Sequence, residues 1–157
     1  MTIPGGVPGV RRTLDTMRAL VRAFRVAPEL RQAATSIVFT TPERDAFSEA
    51  RALFSWVQSH VRYVRDVHEV ETLSTPLVTL RGRIGDCDDQ VTLLATLLEA
   101  VGYPTRFIAA GYYEAGAFDH VYMQAFLGGD WVDMDPTEPN PMGWAPPDPV
   151  ALLIERV

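Results

Sequence analysis

The chain has 157 residues, 47% hydrophobic and 22% charged, which suits one globular domain with its own core and leaves too little length for two. A single cysteine excludes an internal disulfide and a cysteine-rich metal cluster, and no apolar run reaches bilayer-spanning length. The formal charge of −6 is lopsided: residues 1–65 carry ten Arg against five acids and residues 66–157 four Arg against fifteen, an acidic balance that argues against a nucleic-acid partner.

Residues 1–10 read as a flexible arm. They hold Pro and Gly where a secretory leader would be apolar, so a cytoplasmic protein is expected. Over residues 11–25, Leu14, Met17, Val21 and Phe24 share one helical face and Arg11, Arg18, Arg22 and Arg25 another. Such a helix docks on the core by its apolar stripe or binds an acidic partner by its arginines. Pro28 opens a further short helix through Ala34. Thr41-Pro42-Glu43 predicts the next helix start, with Thr41 as N-cap and Pro42 at the first position. Phe47, Ala50, Phe54, Val57 and Val61 then recur at helical spacing. Residues 66–84 lack a clear period and read as a long loop with a short strand at Leu77 to Leu80.

Residues 86–101 predict a third helix, with Asp86 as N-cap and Gly102 as the stop. Val91, Leu93, Leu94, Leu97, Leu98 and Val101 cover most of its circumference, which marks it as the buried central helix. Beyond Pro104 the pattern turns to strands at 106–111, 120–127 and 131–135. Gly128-Gly129-Asp130 is a tight turn that sets Leu127 near Trp131. From Pro136 onward lie six of the twelve prolines, predicting an extended tail that ends in a helical turn over residues 150–157. The expected organisation is a single domain: an arm with an amphipathic helix over 1–40, a core over 41–140 and a Pro-rich tail over 141–157. The fold class is α+β, with the cysteine helix packed on a small antiparallel sheet.

Cys87 sits in Gly85-Asp86-Cys87-Asp88-Asp89, at the start of the central helix. Unpaired N–H groups and the helix dipole favour a thiolate there, while Asp88 and Asp89 oppose it. Strand alternation puts His120, Tyr122, Gln124 and Phe126 on one face, and Trp131, Asp133 and Asp135 on one face of the next strand. The hairpin then brings His120 near Asp135. A thiol, an imidazole and a carboxylate in this order supply a nucleophile, a base and an orienter. Each residue also has an ordinary reading. A lone cysteine at a helix start is often a small apolar filler, a lone strand histidine is often structural, and Asp135 before Pro136 can simply start a turn. Asp133 rivals Asp135 as orienter, and His60 and His68 rival His120 as base. A metal site from Cys87, His120 and an Asp would draw on few ligands, far apart in sequence.

Gly85-Asp86-Cys87-Asp88-Asp89, the apolar run Thr92 to Leu98, Gly102-Tyr103-Pro104-Thr105-Arg106 and Gly111-Tyr112 resemble the cysteine helix, turn and strand of the transglutaminase-like cysteine-enzyme superfamily. Asp119-His120-Val121-Tyr122 resembles its histidine strand, and Trp131 to Thr137 its Trp…Asp-Pro-Thr element. The resemblance implies a papain-like, transglutaminase-core fold with Cys87 as nucleophile, His120 as base and Asp135, rather than Asp133, as orienter. It implies no obligatory cofactor and no metal, and either hydrolysis of a protein or peptide amide or acyl transfer to an amine. Tyr63, Asp86, Asp88 and Tyr122 are the further candidates for holding the substrate or the oxyanion. Tyr122 departs from the Trp that the family often has there. The compact form is similar to small bacterial and phage members, some members being inactive. Virion association, phage structural proteins as partners, and a silent interaction module are therefore expectations as well. No membrane partner is expected. The absence of lysine is what GC-rich coding produces; it would also spare an enzyme that acylates lysine from labelling itself.

Overall fold

Helix α5 (Cys87–Ala100) is the axis of the fold in a computed structural model that describes residues 6–65, 73–114 and 116–157. Every residue from Cys87 to Leu98 is buried, because helices cover one side of α5 and a sheet the other. The helical side is α1 (Gly6–Phe24), α2 (Pro28–Val38), α3 (Ala46–His60) and α4 (Pro76–Gly82). The sheet side is β3 (Thr105–Gly111), β4 (His120–Leu127), β5 (Asp130–Met134) and β6 (Ala151–Arg156), all antiparallel in the order β5-β4-β3-β6. Two short strands, β1 (Arg62–Tyr63) and β2 (Ile84–Gly85), pair in parallel beside the start of α5. This is the mixed fold with a central cysteine helix on a small antiparallel sheet that the hydrophobic pattern predicts. The core runs between layers: Phe107, Ala109, Val121, Met123, Ala125 and Leu127 from the sheet meet Val91, Leu94 and Leu98 of α5. Among the described residues no helix is long and apolar enough to cross a membrane.

The amphipathic helix docks: Leu14, Met17 and Val21 are buried in the core. It begins earlier than the expected arm allows, at Gly6, and buries Val10 as well. Helix α3 starts at Ala46 rather than after Thr41. Asp45 caps it, accepting from Ser48 N at 3.1 Å, and Arg44 at φ 60° turns the chain just before. The expected strand at Leu77 to Leu80 is instead α4. Thr75 caps it, accepting from Val78 N at 3.3 Å, Pro76 sits in its first turn, and seven residues are too few to display a period.

The chain's end is also corrected. Residues 151–156 form strand β6, not a helical turn. Val150 N donates to Gly111 O at 2.8 Å, and pairing continues along β3, covering what would otherwise be an open sheet edge. At the hairpin, Leu127 lies opposite Asp130, and Trp131 opposite Phe126, one place from the expected register. Gly128 (φ 60°) and Gly129 (φ 97°) alone form the two-residue turn, both in the left-handed region that such a turn demands. Between β5 and β6 the proline-rich segment crosses the outer sheet face in a series of turns and bends rather than as the extended tail expected, with Trp144 N donating to Pro141 O at 3.2 Å. Ala145 packs there on Ile108, Ala110 and Tyr122, and Gly143 N donates to Asp133 O at 2.7 Å.

Candidate functional site

Cys87 is the first residue of α5, and its position is set by a reciprocal cap. Asp86 accepts from Asp89 N at 3.1 Å, and Asp89 accepts from Asp86 N at 3.4 Å. The other Asp89 oxygen accepts from Ser74 N at 2.7 Å and so ties the approach to α4 onto the start of α5. Gly85 is required here, since a Cβ on it would lie 2.6 Å from the Asp89 Cβ.

The thiol faces inward. Cys87 is 2% exposed, and its Sγ lies 3.9 Å from Asp88 Oδ1. Burial pushes its pKa well above the ordinary thiol value; the charges of Asp88 and Asp86 add to this, and a hydrogen bond from Val121 N opposes it. The thiolate expected from the helix dipole is thus outweighed by desolvation and two carboxylates. The Val121 bond also locates the sulfur: it lies at the start of β4, one residue along the chain from His120.

His120 opens β4, and its Nε2 lies 2.6 Å from Asp135 Oδ2. Asp135 follows β5, with its side chain fully buried. Its second oxygen accepts from Thr137 N at 3.1 Å and from Thr137 Oγ1 at 2.7 Å. A carboxylate only accepts, so Nε2 donates in this bond, and in the neutral ring Nδ1 is then the acceptor. Asp133 is engaged elsewhere, accepting from Gln124 Nε2 at 2.7 Å. The histidine–aspartate pairing expected from strand alternation therefore forms with Asp135.

The other residues divide. Tyr122 is 6% exposed and stacks beside His120, ring centroids 6.4 Å apart. Burial raises its pKa, with Asp133 and Asp135 adding to the effect. Tyr63 is 45% exposed, and burial raises its pKa. Asp86 and Asp88 lie beside the sulfur, but carboxylates offer no donor to an oxyanion. His60 bonds back to Trp56 O at 2.9 Å and stacks on Trp56 in α3. His68 lies outside the described residues. Among the described residues no group of three or more His, Cys, Asp or Glu side chains is arranged to hold a metal.

A cleft of about 410 Å³ opens where β1, the start of α5 and the turn after Asp135 meet. Tyr63, Gln90, Pro136 and Thr137 line it. Periodicity did not single out Gln90. The available signal was a long polar side chain three residues after Cys87, on the same helical face as the cysteine.

Solved structures share this architecture. A candidate protease of Parabacteroides distasonis matches with a TM-score of 0.66 at 14% identity, over 82% of this chain and 26% of that one. A candidate cysteine protease of Cytophaga hutchinsonii gives 0.59 at 17%, over 85% and 52%. Calcium-bound LapG of Legionella pneumophila gives 0.59 at 16%, over 89% and 83%. At such identities the likeness is one of fold, and this chain spans about a quarter of the first structure and half of the second. No curated protein matches the sequence. The family model of the transglutaminase-like superfamily matches residues 31–136, the stretch that holds α3, the Cys87 helix, β4 and Asp135, and the chain belongs to that superfamily.

Proposed function

We propose that the chain is a thiol-dependent amidase, peptidase or acyl transferase working through a thioester on Cys87. The observation that carries the reading is the 2.6 Å bond between His120 and a fully buried Asp135, at the end of β4 against which the Cys87 sulfur rests. The fold shared with LapG and with two candidate proteases supports it. Because the resting thiol is held protonated, His120 Nδ1 takes the proton as sulfur attacks the amide carbonyl carbon. The N–H of Cys87, at the helix start, donates to the developing oxyanion. Asp135 keeps the ring in this tautomer and stabilises the imidazolium. Collapse breaks the C–N bond, and His120 returns the proton to the departing amine. Water or a second amine then attacks the thioester. The substrate class is a protein or peptide, and phage structural proteins are candidate binding partners.

A second reading draws on the burial of Cys87: a silent member of the superfamily that serves as an interaction or virion structural module. Two measurements separate them. Casein cleavage and the coupling of a fluorescent amine to casein should both be followed for wild type and Cys87→Ala. Iodoacetamide labelling should be followed against pH for wild type and His120→Ala. The enzyme reading expects a Cys87-dependent product and at least tenfold slower labelling without His120. Equal behaviour of the variants in every assay leaves the silent module.

A further inference from the structure

Gln90 follows Cys87 by three residues, so the two side chains share a face of α5. It is 1% exposed and lines the cleft beside Tyr63 and Pro136. Its Nε2 donates to Gly85 O at 3.3 Å. A backbone carbonyl only accepts, so this bond orients the amide, loosely at its length, with Oε1 on the side away from Gly85 O. Oε1 has no hydrogen-bond partner among the described residues. A buried amide oxygen without a donor is costly, and native proteins seldom keep one. The long bond to Gly85 lets the side chain turn a little without losing a strong partner.

Strand β1 points to the form of the missing donor. Arg62 N donates to Arg83 O at 2.9 Å and Val64 N to Gly85 O at 3.1 Å, so these groups face β2. Parallel pairing then directs the N–H and C=O of Tyr63, between them, away from β2. Arg62 and Tyr63 both line the cleft that contains Gln90.

We propose that an extended peptide lies in this cleft along β1 and that Gln90 Oε1 receives one of its backbone N–H groups. The inference rests on the reading that Cys87 attacks a peptide carbonyl. It adds how the substrate is held: by its main chain, through an acceptor one helical turn from the sulfur. Gln90 is a substrate-positioning residue and takes no part in proton transfer.

The test uses acetyl-trialanyl chloromethyl ketone, which alkylates a cysteine as a C–S bond forms, chloride leaves and the thiol proton passes to solvent. Three analogues each carry an N-methyl group on one amide and lack that N–H. Second-order labelling rates are read by intact mass, with iodoacetamide as the control for Cys87 reactivity. Wild type should prefer the parent over one of the analogues by tenfold or more. In Gln90→Met, of similar volume but without the acceptor, that preference should fall below twofold. Iodoacetamide labelling should stay within twofold of wild type, and the thermal midpoint should not fall. Gln90→Glu, which keeps an acceptor, should retain the preference. A wild type indifferent to all three N-methyl groups, or a preference surviving in Gln90→Met, overturns the proposal while leaving the thioester chemistry intact. A wild type that iodoacetamide does not label at Cys87 overturns both.

Discussion

Asp135 has two duties, and a single substitution separates them. One oxygen faces His120 and the other is held by Thr137. In Asp135→Asn the amide oxygen can keep the Thr137 bonds while the amino group turns to His120. An amino group only donates, so Nε2 must become the acceptor and the ring proton moves to Nδ1. A protonated Nδ1 can no longer take the thiol proton. Asp135→Asn should therefore slow iodoacetamide labelling of Cys87 by roughly tenfold and turnover by about a hundredfold or more, by analogy with the serine-protease triad, with little change in thermal midpoint. Labelling that proceeds at the wild-type rate would detach Asp135 from the chemistry. Strand alternation alone left the residue half legible, while the likeness of Trp131 to Thr137 to the family's Trp…Asp-Pro-Thr element singled it out. Alternation put Asp133 and Asp135 on one face; what separates them is Gln124, which occupies Asp133 from the neighbouring strand.

At the scale of elements, the ends of α5 and its neighbours explain both what a sequence discloses and what it hides. Helices α1 and α5 were legible because fourteen or more residues repeat an apolar stripe several times. Helix α4 was not, since two turns carry no repeat. Strand β6 was hidden because its partners in β3 lie between 40 and 50 residues earlier, and nothing local in Ala151 to Arg156 announces that pairing. The Asp86 cap was legible as a cap, but the close fit beneath it was not. Gly85→Ala would drive a methyl group into Asp89, whose carboxylate is held by Asp86 N and Ser74 N. That side chain cannot move without releasing both bonds. Gly85→Ala should cost on the order of 1–3 kcal/mol in urea unfolding. Asp86→Ala, which loses the bond from Asp89 N among its contacts, should cost about 1 kcal/mol or more. An unchanged midpoint for Gly85→Ala would mean that the segment before α5 relaxes freely, against the packing described.

Across the whole molecule, the basic N-terminal half meets the acidic half within the fold. Arg18 of α1 pairs with Glu155 of β6, and Arg25 with Glu99 of α5 at 3.0 Å. Part of the charge asymmetry thus closes internally and does not call for an acidic partner. A consequence at this scale concerns alkaline pH. The Cys87 thiol is raised, chiefly by burial, and Tyr112 is pushed up to about 12, again chiefly by burial. Tyr103 is raised by burial and by its bond to Glu49. Each group is neutral when protonated and harder to ionise in the folded chain than in the unfolded one. Above the ordinary thiol pKa of about 8.5, the unfolded state loses a proton that the folded state keeps, so stability falls as pH rises. The contribution of Cys87 is complete below about pH 8.5 and is progressively lost above it; the tyrosines add their loss from about pH 10. The thermal midpoint should therefore decline from about pH 8.5 and more steeply beyond about pH 10. Cys87→Ala should flatten the first segment and leave the second, whatever its effect on stability at neutral pH. Parallel pH profiles for the two proteins between about pH 8.5 and 10 would show that the thiol titrates alike in both states, and the buried, protonated sulfur from which the proposed proton transfer starts would be lost with it.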